Sequence, residues 1–202
     1  MKHIKHIALL ILLGLIAAVN AHAQTFTKYQ DTLNLDEYTN LEEAMEEPDK
    51  VRRLVLKNKK LKEIPAEIFL FKNLEELDLR GNKIKLIPAD IAKLKKLRYL
   101  NLSRNDIDSI PAAFGELKSL VYVELGQNAI RYIAPQFKNL ENLEYISLWE
   151  NELTYFPDCS KLNIKELDLR SIIITASQRD QIKEALPEKT IIYFSPDCNC
   201  GK

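Results

Sequence analysis

Asparagine recurs at Asn82, Asn105, Asn128 and Asn151, an interval of 23 residues, and the residues around each one recur with it. Two alternating apolar positions precede each asparagine: Leu77 and Leu79, Leu100 and Leu102, Val123 and Leu125, Ile146 and Leu148. Behind it the apolar positions keep register, as in Ile84, Ile87, Ile91, Leu94 and Leu97. Ile-Pro pairs repeat at Ile64-Pro65, Ile87-Pro88 and Ile110-Pro111, with Phe156-Pro157 one skipped repeat later. A fixed period of this length from about Val51 to about Lys161 constrains the fold more than any other feature. Each unit must be one supersecondary element stacked on the next.

The physics of one unit follows from its spacing. Alternating residues such as Leu100 and Leu102 point to the same side of an extended strand, so each unit places a short strand with its leucines inward. The remainder has to return to the start of the next strand. Proline at Pro65, Pro88 and Pro111 removes a backbone donor and fixes φ, which suits a turn that leaves the sheet and opens a short helical segment. Each asparagine falls where the chain bends, and its amide can donate and accept together, so a stack of them can satisfy buried turn backbone between repeats. A lone unit buries too little apolar surface to offset the entropy of ordering it, so stacking is obligatory and both ends need caps.

These residues resemble the leucine-rich-repeat family. Its L-x-x-L-x-L-x-x-N-x-L pattern is matched by Leu74, Leu77, Leu79, Asn82 and Ile84, and again by Leu97, Leu100, Leu102, Asn105 and Ile107. The I-P-x-x-I-x-x-L extension is similar to that of the short-repeat class in bacterial proteins and in plant and animal signalling scaffolds. The resemblance implies an α/β solenoid with a curved parallel β-sheet on its concave side, short helical or 3₁₀ segments on its convex side, and caps at both ends. It also implies that the concave sheet face engages partners.

Both ends depart from the pattern. At the front, Lys59 takes the asparagine position of a first repeat bearing Leu54, Leu56 and Leu61. Thr39 with Glu42, or Asn40 with Glu43, offers a capping box for a short helix ended by Pro48, and 32–35 offers an edge strand. At the back, the fifth repeat is two residues short and the sixth has Ile172 in the asparagine position. A helix starting near Thr175 or Ser177 and a strand from Ile191 to Phe194 would close the stack, for about six strands beyond the front cap. The organisation read from the chain is a signal at 1–23, an N-terminal cap at 24–50, repeats at 51–163, and a last repeat with its C-terminal cap at 164–202.

The signal reading rests on Lys2 and Lys5, an apolar run from Ile7 to Val19, and Ala21-His22-Ala23 as a small-x-small cleavage site. That run is shorter than the ~20 residues a spanning helix needs, so no membrane span is expected after cleavage and an exported, periplasmic or extracellular chain is expected. Cleavage before Gln24 would remove His3, His6 and His22, the only histidines. A chain without them excludes Ser-His-Asp and Cys-His catalysis and histidine-ligated metals. Charge is balanced over the full chain and near minus two after cleavage, so nothing points to nucleic acid. The scattered Gly81, Gly115, Gly126 and Gly201 form no phosphate loop, and no cofactor is expected.

Residues flanking the strand leucines should face outward in three columns. One runs Arg53, Glu76, Tyr99, Tyr122, Tyr145, Glu166; the next Val55, Asp78, Asn101, Glu124, Ser147, Asp168; the third Lys57, Arg80, Ser103, Gly126, Trp149, Arg170. Exposed Tyr99, Tyr122, Tyr145 and Trp149 are the expected anchors for a protein or peptide, with Glu76, Asp78, Arg80, Asn101, Glu124, Asp168 and Arg170 around them. Glu150 and Arg104 add charge beside that face. The competing reading is that the aromatics only support neighbouring strands, in an envelope protein without a discrete ligand; a glycan is a further option, through ring stacking. Carboxylate pairs on an open sheet lack the desolvated pocket that acid-base catalysis needs, so no catalytic residue and no metal ligand is assigned.

Cys159, Cys198 and Cys200 are an odd set for an exported chain. A disulfide from Cys159 to Cys198 or Cys200 would staple the tail; a three-thiolate metal site, a Cys198–Cys200 redox pair and free thiols are the alternatives. Asn101-Leu102-Ser103 matches a glycosylation sequon.

Overall fold

The computed structural model describes residues 36–195. The expected signal, its histidines, the 32–35 strand, Cys198 and Cys200 lie outside the described residues.

Eight parallel strands form one sheet in the order β1 (Glu37–Tyr38), β2 (Arg53–Val55), β3 (Glu76–Asp78), β4 (Tyr99–Asn101), β6 (Tyr122–Glu124), β8 (Tyr145–Ser147), β9 (Glu166–Leu169) and β10 (Ile191–Phe194). Their central residues Leu54, Leu77, Leu100, Val123, Ile146 and Leu167 are paired in register and buried, so every repeat contributes to one continuous core. Each return segment carries a 3₁₀ turn: Ala66–Leu70, Ala89–Lys93, Ala112–Glu116 and Pro135–Asn139. The first three follow Pro65, Pro88 and Pro111, as the spacing predicts, while the fourth takes its proline one residue later, inside the turn. Ile68, Ile91, Phe114 and Phe137 fill the space between turns and sheet, and the last two rings stack with centroids 6.0 Å apart.

The asparagine stack is present. Asn105 is representative: its Oδ1 accepts the Ile84 N–H at 3.0 Å, and its Nδ2 donates to the carbonyls of Leu79 at 3.1 Å and Leu102 at 2.9 Å. One amide thus closes its own turn and the preceding one. Asn82, Asn128 and Asn151 repeat the arrangement. Just before each asparagine the backbone adopts positive φ, at Gly81, Arg104, Gln127 and Glu150, and it does so too at Asn58 and Ser171, before Lys59 and Ile172 in the asparagine position. Gly81 is therefore not a scattered glycine but the one residue of this recurring left-handed position that adopts it without steric cost.

The caps differ in detail from the sequence reading. Helix α1 (Leu41–Glu46) is capped by Asn40, whose Oδ1 accepts the Glu42 N–H at 2.9 Å; the reciprocal box expected with Thr39 or Asn40 is absent. Helix α2 (Ala176–Glu184) does carry one, between Thr175 and Gln178. A further feature had no sequence expectation. The return segments form a second parallel ladder, β5 (Ser109–Ile110) with β7 (Tyr132–Ile133). No helix among the described residues is long and apolar enough to cross a membrane.

Candidate functional site

The sheet registers bring the three columns together on one face. Pairing runs Arg53, Glu76, Tyr99, Tyr122, Tyr145, Glu166 in one row and Val55, Asp78, Asn101, Glu124, Ser147, Asp168 in the next. Tyr99 and Tyr122 lie with ring centroids 5.3 Å apart, Tyr122 and Tyr145 5.7 Å apart.

Exposure differs from expectation, and the correction matters for which residues can meet a partner. Tyr99 and Tyr122 are buried, with Glu76, Asp78, Asn101 and Asp168; Tyr145, Trp149, Glu124, Arg80 and Arg170 keep partial exposure. Part of the reason is that the polar residues are engaged within the fold. Asp78 Oδ1 accepts the Arg80 N–H at 2.9 Å, Asn101 Oδ1 the Ser103 N–H at 3.0 Å, and Asp168 Oδ1 the Arg170 N–H at 3.1 Å. The second column thus closes the turn that follows each strand, a local role for which short acceptor side chains are suited. Asn101 also donates to the Tyr99 hydroxyl at 3.1 Å, so the sequon asparagine is buried and bonded rather than presented.

Charge on this face is largely paired. Arg53 bridges Glu37 at 3.1 Å and Glu76 at 3.3 Å, and Arg170 donates from Nε to Asp168 at 2.8 Å. The Tyr122 hydroxyl donates to Glu124 at 2.7 Å. Burial first, and the Glu124 carboxylate second, raise the Tyr99 and Tyr122 hydroxyls well above the ordinary phenol range. Neither ring serves as an acid or base near neutral pH.

Two features of the C-terminal half escaped sequence reasoning. A β-carbon on Gly126 would stand 2.1 Å from the Trp149 indole nitrogen, so the indole occupies the space that glycine leaves open in the third column. The signal was available, since Gly126 and Trp149 are consecutive in that column. Ser147, on the same strand as Tyr145, is buried and its Oγ has no hydrogen-bond partner among the described residues. Beside the face, Arg104, Gln127 and Glu150 form a side-chain chain, with bonds of 2.8 Å and 2.7 Å. Cys159 is buried, which pushes its thiol up to about 12; Cys198 and Cys200, the partners of the expected bridge, lie outside the described residues. The Cys159 backbone N–H is held by the Ala185 carbonyl at 2.7 Å, packing it against the end of α2.

Comparison with known proteins agrees with this geometry. Residues 49–107 match the leucine-rich-repeat family. A leucine-rich-repeat protein of Leptospira interrogans superposes with a TM-score of 0.60 at 26% identity, over 80% of this chain and 49% of that one. The fold is that of a leucine-rich-repeat solenoid. The chain spans about half the length of that Leptospira chain. It also resembles the ectodomain of the plant membrane receptor kinase GASSHO1/SCHENGEN3 from Arabidopsis thaliana, solved in complex with Casparian strip integrity factor 2. There the TM-score is 0.54 at 24% identity, over 61% of this chain and 16% of the ectodomain, a likeness of fold. No curated protein matches the chain.

Proposed function

We propose that this leucine-rich-repeat solenoid is an exported, non-catalytic recognition module that takes a protein or peptide on the C-terminal half of its concave face. The fold is one commonly used for protein interaction. The observation that carries the reading is the strand at Tyr145–Ser147 and its extension to Trp149. It places two partly exposed aromatics, Tyr145 and Trp149, on the same face. Aromatic rings with polar tips are frequent interface anchors.

The anchors are Tyr145 and Trp149, with Glu124, Arg80 and Arg170 at the rim. Tyr99 and Tyr122 form the supporting floor. Affinity purification of the tagged full chain from its native host, followed by mass spectrometry, tests this. The double variant Tyr145→Ala, Trp149→Ala should lose the co-eluting protein while its circular dichroism is unchanged. Equal recovery by the variant rejects the assignment. Export is tested in the same preparation, where the mature chain should begin at Gln24; an intact Met1 would reject it.

A further inference from the structure

The second ladder on the return segments ends unfinished. After β5 and β7 it continues one step, where the Thr154 N–H donates to the Arg131 carbonyl at 3.0 Å and the Thr154 hydroxyl to the same oxygen at 2.8 Å. Beyond that the rungs stop. The fifth repeat is two residues short, Pro157 has no N–H to offer, and the sixth repeat turns at Thr175 into α2 instead of running alongside. The backbone N–H groups of Tyr155 and Phe156 consequently find no acceptor among the described residues. Residues 154–156 form no strand of their own, and backbone donors left without an acceptor beside a ladder can pair with another extended chain.

Next to that edge the helix leaves a gap. A cleft of about 360 Å³ lies between residues 153–156 and α2, floored by Leu153, Phe156 and Ile182 and rimmed by Tyr155, Gln178 and Gln181. None of its lining side chains is charged, in a chain where 29% of residues are. Outside it stands an aromatic pair, Tyr132 and Tyr155, stacked with centroids 6.1 Å apart and each 47% exposed. Ile173, adjoining the cleft-lining Ile174 in sequence, is 99% exposed.

We infer that this cleft receives an extended, uncharged segment of a partner protein, which adds as a further rung beside Thr154–Phe156 and seats one apolar side chain between that edge and α2. The unpaired backbone donors call for a peptide backbone rather than an isolated apolar molecule, and strands pair at a spacing of about 4.8 Å, which a helix cannot adopt. The uncharged lining selects against a charged side chain, which would be desolvated there without a counter-charge. The inference stands apart from the concave-face reading.

Fluorescence anisotropy with labelled, acetylated and amidated threonine heptapeptides, carrying a central leucine, phenylalanine, lysine or glutamate, tests it on the purified full chain. The leucine or phenylalanine peptide should bind, with the lysine and glutamate peptides about tenfold weaker or worse. N-methylation of one backbone amide beside the central residue should weaken binding by about tenfold, and so should Gln181→Arg on the exposed face of α2. Trp149→Ala should leave it unchanged, which separates this site from the concave one. Equal binding of the leucine and glutamate peptides, no binding by any peptide, indifference to N-methylation or to Gln181→Arg, or a dimer by light scattering that the leucine peptide does not dissociate would each overturn it.

Discussion

Trp149 sits where a side chain on Gly126 would have to be: its indole nitrogen is 2.1 Å from the position of a β-carbon there, and two further ring atoms are within 2.8 Å. The glycine is present for the space it leaves, since no positive φ requires it. Gly126→Ala should therefore displace the indole at a stability cost of about 1–3 kcal/mol, the range for overpacking a filled site. Trp149 is the only tryptophan in the chain, so intrinsic fluorescence reports its environment directly. A shifted emission maximum with unchanged circular dichroism is expected; an unchanged maximum would mean that the indole does not depend on Gly126.

Asn105→Ala removes a side chain that serves two turns. The Ile84 N–H loses its acceptor, while the carbonyls of Leu79 and Leu102 each lose one of two donors and keep Asn82 and Asn128 respectively. At about 1–3 kcal/mol for the one buried group left unsatisfied, with two further bonds lost at about 0.5–1.5 kcal/mol each, a loss of roughly 2–4 kcal/mol is expected. Urea unfolding should show a lower midpoint at an unchanged slope. A loss under about 1 kcal/mol would show that the stack is not sharing its amides between repeats.

How much of this was readable from residues alone depends on what kind of interaction fixed each feature. The strands, the Pro-led turns after Pro65, Pro88 and Pro111, and the asparagine stack follow from a period that each repeat reinforces. Ile191–Phe194 and the Thr175 cap follow from local patterning. The three columns were legible too, because alternation along a strand assigns every residue to a face. Exposure was not, since it depends on packing and hydrogen bonding across the assembled face: Asp78, Asn101 and Asp168 look like surface polar residues in sequence, yet they accept N–H groups two positions on. The β5–β7 ladder was hidden for another reason. Its strands are two residues long, too short for alternation to distinguish them from a loop.

Tyr122→Phe tests the floor of the concave face. The hydroxyl donates to the Glu124 carboxylate at 2.7 Å, and bonds to an ionised acceptor contribute more than neutral ones. A destabilisation of about 1–2 kcal/mol is expected in chemical unfolding, because the ring and its stacking remain. Tyr145→Phe, on a ring that is only half-buried, should cost less. The reverse order would place the stronger polar anchor at Tyr145.

Cys159 makes stability at alkaline pH an informative measurement. Burial holds its thiol at about 12 in the folded protein, against an ordinary value near 9 once the chain unfolds. Below pH 9 both states keep the proton and the group contributes no pH dependence. Between about pH 9 and 12 the unfolded chain releases the proton while the folded chain retains it, so rising pH favours unfolding; above 12 both are ionised and the loss levels off. Three pKa units correspond to at most about 4 kcal/mol. Tyr99, Tyr122 and Tyr193, raised in the same direction mainly by burial, add to the alkaline loss, so the wild-type curve alone does not isolate the thiol. Cys159→Ala does. The substitution should lower stability by a pH-independent amount, from the small cavity it leaves, and should flatten the decline of the urea midpoint across that window. Parallel curves for wild type and variant would show that the Cys159 thiol ionises equally easily in both states.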